Sequence, residues 1–152
     1  MYFSRGGHES FALEGPLGNC ELQFSRSEEF IHLVHDQNGQ LTGEKKAFGT
    51  GTRLPLPEEE LKDGNTLIFQ KLRSRSVRLI ESGKAVAQIS FGGFPNLLLW
   101  RASDQNMICI EPWHNLPDGP AHILFPQKEG IIALPPHGKK QFVRTIEYFT
   151  QS

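Results

Sequence analysis

The sequence predicts an all-β fold, a single β-sandwich domain over residues 1–152. Three observations support this: short segments of alternating polarity, closely spaced turn residues between them, and an aromatic content of 10%, which suits packed sheets. The alternation is the period-two pattern of a half-buried strand. The 15 glycines and 10 prolines provide many turns. Strands this short, at this spacing, favour a sandwich over alternating βαβ units.

The first half of the chain predicts a few strands separated by strong turn signals. Residues 20–24 alternate between apolar and polar side chains, and 30–34 form a second candidate strand. The sequence Asp-Gln-Asn-Gly at 36–39 predicts a turn after it. Residues 49–53 are interpreted as a loop with a strand start. The prolines within 54–57 argue against both a helix and a central strand there.

A single helical turn is predicted at 57–61, where a proline precedes three glutamates. From residue 66 onward the β signal strengthens, and Ser82-Gly83 predicts a tight hairpin turn. The strands predicted in this region cover 66–69, 77–81, 85–91, 97–100, 107–110, 131–134 and 142–149.

Composition excludes several classes of function. The net charge of -1 gives no reason to expect a nucleic-acid partner. No apolar run reaches the roughly 18 residues that span a bilayer, so no membrane association is expected. Residues 1–7 lack a signal-peptide hydrophobic region. Cys20 and Cys109 lie far apart in apolar segments, which indicates buried free thiols and a cytoplasmic location. His32 and His35 have no further ligand at metal spacing, so no metal site is expected.

Glu111 is the first candidate catalytic residue. It ends the apolar segment 108–110 and is followed by Pro112 and Trp113. The residue before a proline is held in extended geometry, so Glu111 shares a strand face with Cys109. Desolvation on an apolar face raises the pKa of a carboxyl group. Glu111 is therefore a candidate proton-transfer group in a sugar-sized cleft; the alternative is a solvated glutamate at a strand end.

His8 is the second candidate. Gly6 and Gly7 precede it and allow the backbone to approach a ligand closely. Histidine is the one side chain that titrates near neutral pH without perturbation. A lone histidine is nevertheless more often structural than catalytic, so this segment alone does not decide a role.

Five segments in order resemble one family: 3–12, 72–77, 91–100, 108–113 and 128–131. The most specific are Gly-Gly-His, Phe-Pro-Asn-Leu-Leu-Leu-Trp and Ile-Glu-Pro-Trp. Together they resemble the aldose 1-epimerase (mutarotase) family, in particular its bacterial branch associated with lactose and galactose operons. The resemblance implies a galactose-mutarotase-like β-supersandwich. Because the match begins at a segment that lies mid-chain in the family, this chain resembles the C-terminal half.

The resemblance also implies the reaction, which is interconversion of the α and β anomers of a free aldohexose without a metal or cofactor. Glu111 falls on the family's general base and His8 on its general acid. The base removes the anomeric hydroxyl proton while the acid protonates the ring oxygen, and the ring opens, rotates and recloses. The absent half would orient the substrate, so we expect impaired activity of this chain alone. A partner chain or self-association is expected to cover the exposed half-domain face.

Two further residues are candidates for substrate contact. Asp63 resembles an acidic position ahead of a strand in this branch, and the alternative is an ordinary turn aspartate. Trp113 can offer its ring face to a sugar, or it packs in the core. Trp100 is interpreted as a core residue.

Two other functions compete with the epimerase. A non-catalytic carbohydrate-binding β-sandwich would not depend on His8 and Glu111 as a pair. A glycosidase needs a second carboxylate across the sugar ring, and no other Asp or Glu lies in a setting comparable to Glu111.

Overall fold

The computed structural model describes residues 1–103 and 105–150, and strands dominate it, as predicted. The strands are β1 (Tyr2–Phe3), β2 (Glu9–Ala12), β3 (Cys20–His35), β4 (Leu41–Pro55), β5 (Thr66–Gln70), β6 (Ser76–Glu81), β7 (Lys84–Ser90), β8 (Asn96–Trp100), β9 (Met107–Trp113), β10 (Ile132–Ala133) and β11 (Thr145–Tyr148). Short 3-10 helices occupy Leu17–Asn19, Glu59–Gly64 and Phe125–Gln127. The all-β class is confirmed. Within the described ranges, no helix has the length and apolar character needed to cross a membrane.

The strands predicted at 20–24 and 30–34 both lie within the single long strand β3, and the later strand predictions also hold. Strands β5 to β9 match the predicted segments to within a few residues, and Ser82 and Gly83 form the predicted turn with φ values of 48° and 80°. Residues 49–53, interpreted as a loop with a strand start, instead lie inside β4, which runs to Pro55, so the loop part of that prediction was wrong. This strand pairs only with β3. An edge strand tolerates a proline and register shifts that a central strand would not.

The main sheet curls until its two ends meet. Its strand order is β11-β7-β6-β3-β5-β8-β9-β2, with β4 beside β3, while β1 and β10 form a separate pair. Although β2 and β11 end this order, the rings of Phe11 and Tyr148 lie 6.2 Å apart between centroids. Arg144 also donates to Glu9 at 2.7 Å across the same gap. The curl encloses one large apolar core, whose most buried aromatic side chains are Phe30, Phe69, Phe91 and Phe94.

A buried histidine joins β3 to β5. The two strands share one register pair, His32 with Phe69. The Ile68 N–H donates to His32 Nδ1 at 2.9 Å. The imidazole therefore takes the place of the backbone carbonyl that would accept this hydrogen bond in a regular β-ladder. Burial lowers the pKa of His32. Protonation at Nδ1 would also cost the bond from Ile68, so both effects favour the neutral ring.

The surface carries exposed large apolar side chains. They are Met1, Tyr2, Ile31, Ile123, Leu124, Phe125, Val143 and Tyr148. A covering partner or self-association stays a prediction, as does the assignment of residues 1–152 to one domain.

Because of His32, we expect the free energy of unfolding to decrease in mild acid. The unfolded chain binds a proton below a pKa of about 6.5, whereas the folded chain resists it, so stability is lost as pH falls below that value. His32→Asn keeps an acceptor near Nδ1 but does not titrate. Urea unfolding between pH 7 and pH 5 should show a slope smaller in the variant by up to about 1.4 kcal/mol per pH unit. An equal change of the unfolding free energy with pH in both proteins would contradict the attribution of this pH dependence to His32.

Candidate functional site

His8 and Glu111 face each other across neighbouring strands. Strands β2 and β9 pair antiparallel, with Ser10 opposite Cys109. The same register continues beyond β2, because the Gly7 N–H donates to the Pro112 carbonyl at 2.9 Å. It therefore sets His8 directly opposite Glu111, and directly opposite residues on one face have close side chains. His8 Nε2 lies 3.4 Å from Glu111 Oε1. The structure brings the two predicted residues together; their roles stay predictions.

The glycine pair before His8 makes room for an indole. Gly6 forms a bridge with Trp113. A Cβ at Gly6 would lie 2.6 Å from Trp113 Cδ1, far inside van der Waals contact. The Trp113 Nε1–H donates to the Gly7 carbonyl at 3.1 Å, which holds the ring across this segment. At Gly7, the Arg144 guanidinium occupies the space of the absent side chain.

Glu111 sits at the end of an apolar row that crosses the sheet. Leu98 lies opposite it on β8, and Ile68 lies opposite Leu98 on β5. Leu33 packs against the side chains of Leu98 and Ile68. The Glu111 side chain is 3% exposed, whereas that of His8 is 60% exposed. Burial raises the pKa of Glu111, and the neighbouring His8 and the Trp113 N–H oppose this rise to a smaller extent.

The pair opens into a cleft of about 310 Å³, a volume at the small end of ligand sites. The cleft is lined by His8, His35, Gly39, Thr66, Ile68, Leu98, Trp100, Glu111, Trp113 and Pro117. The Trp100 Nε1–H donates to the Gly64 carbonyl at 2.8 Å. Because both indole N–H groups are bound to backbone carbonyls, the rings offer apolar surface to the cleft.

Two aromatic residues of the cleft were not among the site residues predicted from the sequence. Trp100 was interpreted as a core residue, but it is half-buried and lines the cleft. Its face follows from the register, since it lies opposite Cys109 and therefore on the side of Glu111. His35 has Nδ1 2.9 Å from the Asp36 carbonyl and Nε2 3.0 Å from the Thr66 carbonyl. No sequence signal pointed to His35, because its place depends on long-range pairing.

The two predicted substrate contacts differ in position. Trp113 lines the cleft, next to His8 and Glu111. Asp63 is exposed in the turn before β5, with a φ of 55°, and does not line the cleft. Aspartate tolerates this left-handed backbone region better than most residues, which is a local reason for its presence.

A third group joins the pair on the same face. The nitrogen of His8, the sulfur of Cys109 and an oxygen of Glu111 all lie within 4.8 Å of one another. Burial raises the pKa of the Cys109 thiol. These are donor atoms able to hold a metal ion, at a place that histidine spacing along the chain did not indicate.

Comparison with known proteins places the fold. No family model and no curated protein matches the chain. A galactose mutarotase-like protein from Lactobacillus casei superposes with a TM-score of 0.80 at 21% identity, covering 98% of this chain and 54% of that one. A galactose mutarotase related enzyme from Lactobacillus acidophilus gives 0.75 at 20%, covering 99% and 53%. The fold is galactose mutarotase-like. The chain spans about half the length of these proteins.

We expect Gly6→Ala to disturb the site through Trp113. The added methyl group overlaps the indole and must displace it from the Gly7 carbonyl. Overpacking of this kind costs about 1–3 kcal/mol of the free energy of unfolding. Denaturant titration followed by tryptophan fluorescence measures both the loss and the change in ring environment. Gly92→Ala is the matched control, because no atom lies within 4 Å of its Cβ position. Equal stability of the two variants would contradict the packing argument.

Proposed function

We propose that this chain carries the acid–base pair of an aldose 1-epimerase that interconverts the α and β anomers of a free aldohexose. The observation that supports it most is the His8–Glu111 pair, 3.4 Å apart in a cleft between two indoles. The structural neighbours, a galactose mutarotase-like protein and a galactose mutarotase related enzyme, support a role in carbohydrate metabolism. No step of the proposed reaction needs a metal or cofactor.

The closeness of the pair suits this reaction. The anomeric hydroxyl oxygen and the ring oxygen are bonded to the same carbon, so the groups that exchange protons with them must be neighbours. Glu111 removes the hydroxyl proton, and His8 donates a proton to the ring oxygen as the C1–O bond breaks. The open aldehyde then rotates about C1–C2 and recloses with the roles reversed. A buried, desolvated carboxylate is a stronger base than a solvated one.

The cleft fits a glycosidase less well. Such an enzyme places a second carboxylate across the sugar, about 5–9.5 Å from the first. Glu111 is the one carboxylate among the described residues that line the cleft. A carbohydrate-binding module is the second candidate, because Trp100 and Trp113 both present apolar ring surface there.

Substrate binding should need more polypeptide than this chain supplies. Besides the acid–base pair, the side chains of His35 and Thr66 are the polar ones in the described lining. The His35 ring nitrogens already lie against backbone carbonyls. A hexose carries several hydroxyl groups that need hydrogen-bond partners when it binds. We propose that a partner chain, or a second copy of this one, provides them across the open side of the cleft.

We expect the chain to accelerate the anomer exchange of galactose or glucose weakly, as followed by polarimetry. Glu111→Gln and His8→Asn should each reduce the acceleration by about 10²- to 10⁴-fold, toward the uncatalysed rate, because each removes one proton-transfer group. The effects should not add, because the two groups act as one unit. Glu147→Gln, an exposed carboxylate on β11, is the control and should keep the rate.

Sugar binding separates the two candidate functions. For an epimerase, Glu111→Gln should lose the acceleration while galactose still binds. A wild-type chain that binds galactose without acceleration, and a Glu111→Gln variant that binds equally well, would contradict the epimerase and favour the binding module. Full acceleration by Glu111→Gln would also refute the role of this residue.

A further inference from the structure

We propose that His8, Cys109 and Glu111 form a binding site for a thiophilic divalent cation such as Zn²⁺. The proposal goes beyond the epimerase, which makes no use of Cys109. It rests on the geometry of the β2–β9 ladder and holds whether or not the chain is an enzyme.

The β2–β9 ladder brings three different metal-ligand atoms close together on one face of the sheet. Cys109 and Glu111 are two positions apart on β9 and therefore share a face, and His8 projects from the neighbouring chain segment onto the same face. Their donor atoms all lie within 4.8 Å of one another. Zinc bonds of about 2.0–2.3 Å in a tetrahedral arrangement need donors about 3.5 Å apart. His8 Nε2 and Glu111 Oε1 are already 3.4 Å apart.

The three donors differ in how far they are exposed to solvent. The side chain of His8 is 60% exposed, whereas Cys109 and Glu111 are buried in β9, so His8 has the most room to adjust to an ion. Three protein donors leave a fourth tetrahedral position open toward the cleft. An ion there takes the lone pairs of His8 and Glu111, so a sugar cannot use them.

The donor set selects the kind of ion. Thiolate and imidazole favour zinc and related transition metals, whereas Mg²⁺ and Ca²⁺ prefer oxygen alone. A thiolate and a carboxylate together neutralise a divalent charge, which removes much of the penalty of a buried ion. Binding releases the thiol proton to solvent. The Ser10 hydroxyl lies 3.1 Å from Cys109 Sγ and can donate to the resulting thiolate.

The test is a titration of chelator-treated protein with Co²⁺, followed by displacement with Zn²⁺. We expect one Co²⁺ per chain and a thiolate-to-cobalt charge-transfer band. Cys109→Ser should abolish the band and weaken binding at least about 100-fold. Ser10→Ala, which removes only the outer partner, should weaken it about 10-fold. Cys20→Ser is the matched control and should keep both, because Cys20 is a buried thiol held in the main core.

His8→Asn tests the same site with a substitution that does not disturb the folded core. Cys109 is fully buried, so its variant could unfold, but the side chain of His8 is mostly exposed and its loss leaves the core intact. This variant removes a direct ligand and should therefore weaken binding more than Ser10→Ala does, while the circular dichroism stays that of the wild type. A wild-type chain without a charge-transfer band, or a band that Cys20→Ser removes and Cys109→Ser keeps, would overturn the proposal. Neither readout depends on sugar turnover, so failure here leaves the epimerase test unaffected.

Discussion

The antiparallel ladder between β2 and β9 brings together His8 and Glu111, which lie 103 positions apart in the chain (111 − 8). A slip of one residue in this ladder would turn His8 toward the opposite face of the sheet, because side chains alternate with a period of two. The bulk of Trp113 fixes the register, since its ring needs the space that Gly6 leaves free. The geometry of the His8–Glu111 pair thus depends on a packing constraint two residue pairs further along the ladder.

The curl of the sheet explains why the site strands are apolar on both faces. In β8, Leu97 and Leu99 point into the main core, while Leu98 belongs to the smaller cluster beneath the cleft. A strand covered on both sides loses the alternation that usually tells its faces apart. The same double coverage keeps Glu111 away from water, so the apolar cluster supports both the fold and the proton affinity of the site.

Local signals in the sequence predicted the strands from residue 66 onward. The family resemblance singled out His8 and Glu111 as site residues, and the structure brings these two side chains together. The local signals failed where the outcome depends on distant partners. The long strand β4 is held by β3 alone, and its glycines and Pro55 resemble a loop when read locally. The exposure of Trp100 to the cleft and the proximity of Cys109 to His8 follow from register across three strands, which period-two patterning in one strand cannot supply.

The proposed proton transfer and the proposed cation binding place the same demand on this face of the sheet, namely lone pairs held close together where little water reaches them. Burial raises the pKa of Glu111 and of the Cys109 thiol, which favours their neutral forms. A divalent ion reverses that preference, because its charge compensates both anions at once. Sugar, protons and a cation would therefore compete for one set of side chains. The exposed His8 is the member able to change partner, since Glu111 and Cys109 are held by the ladder.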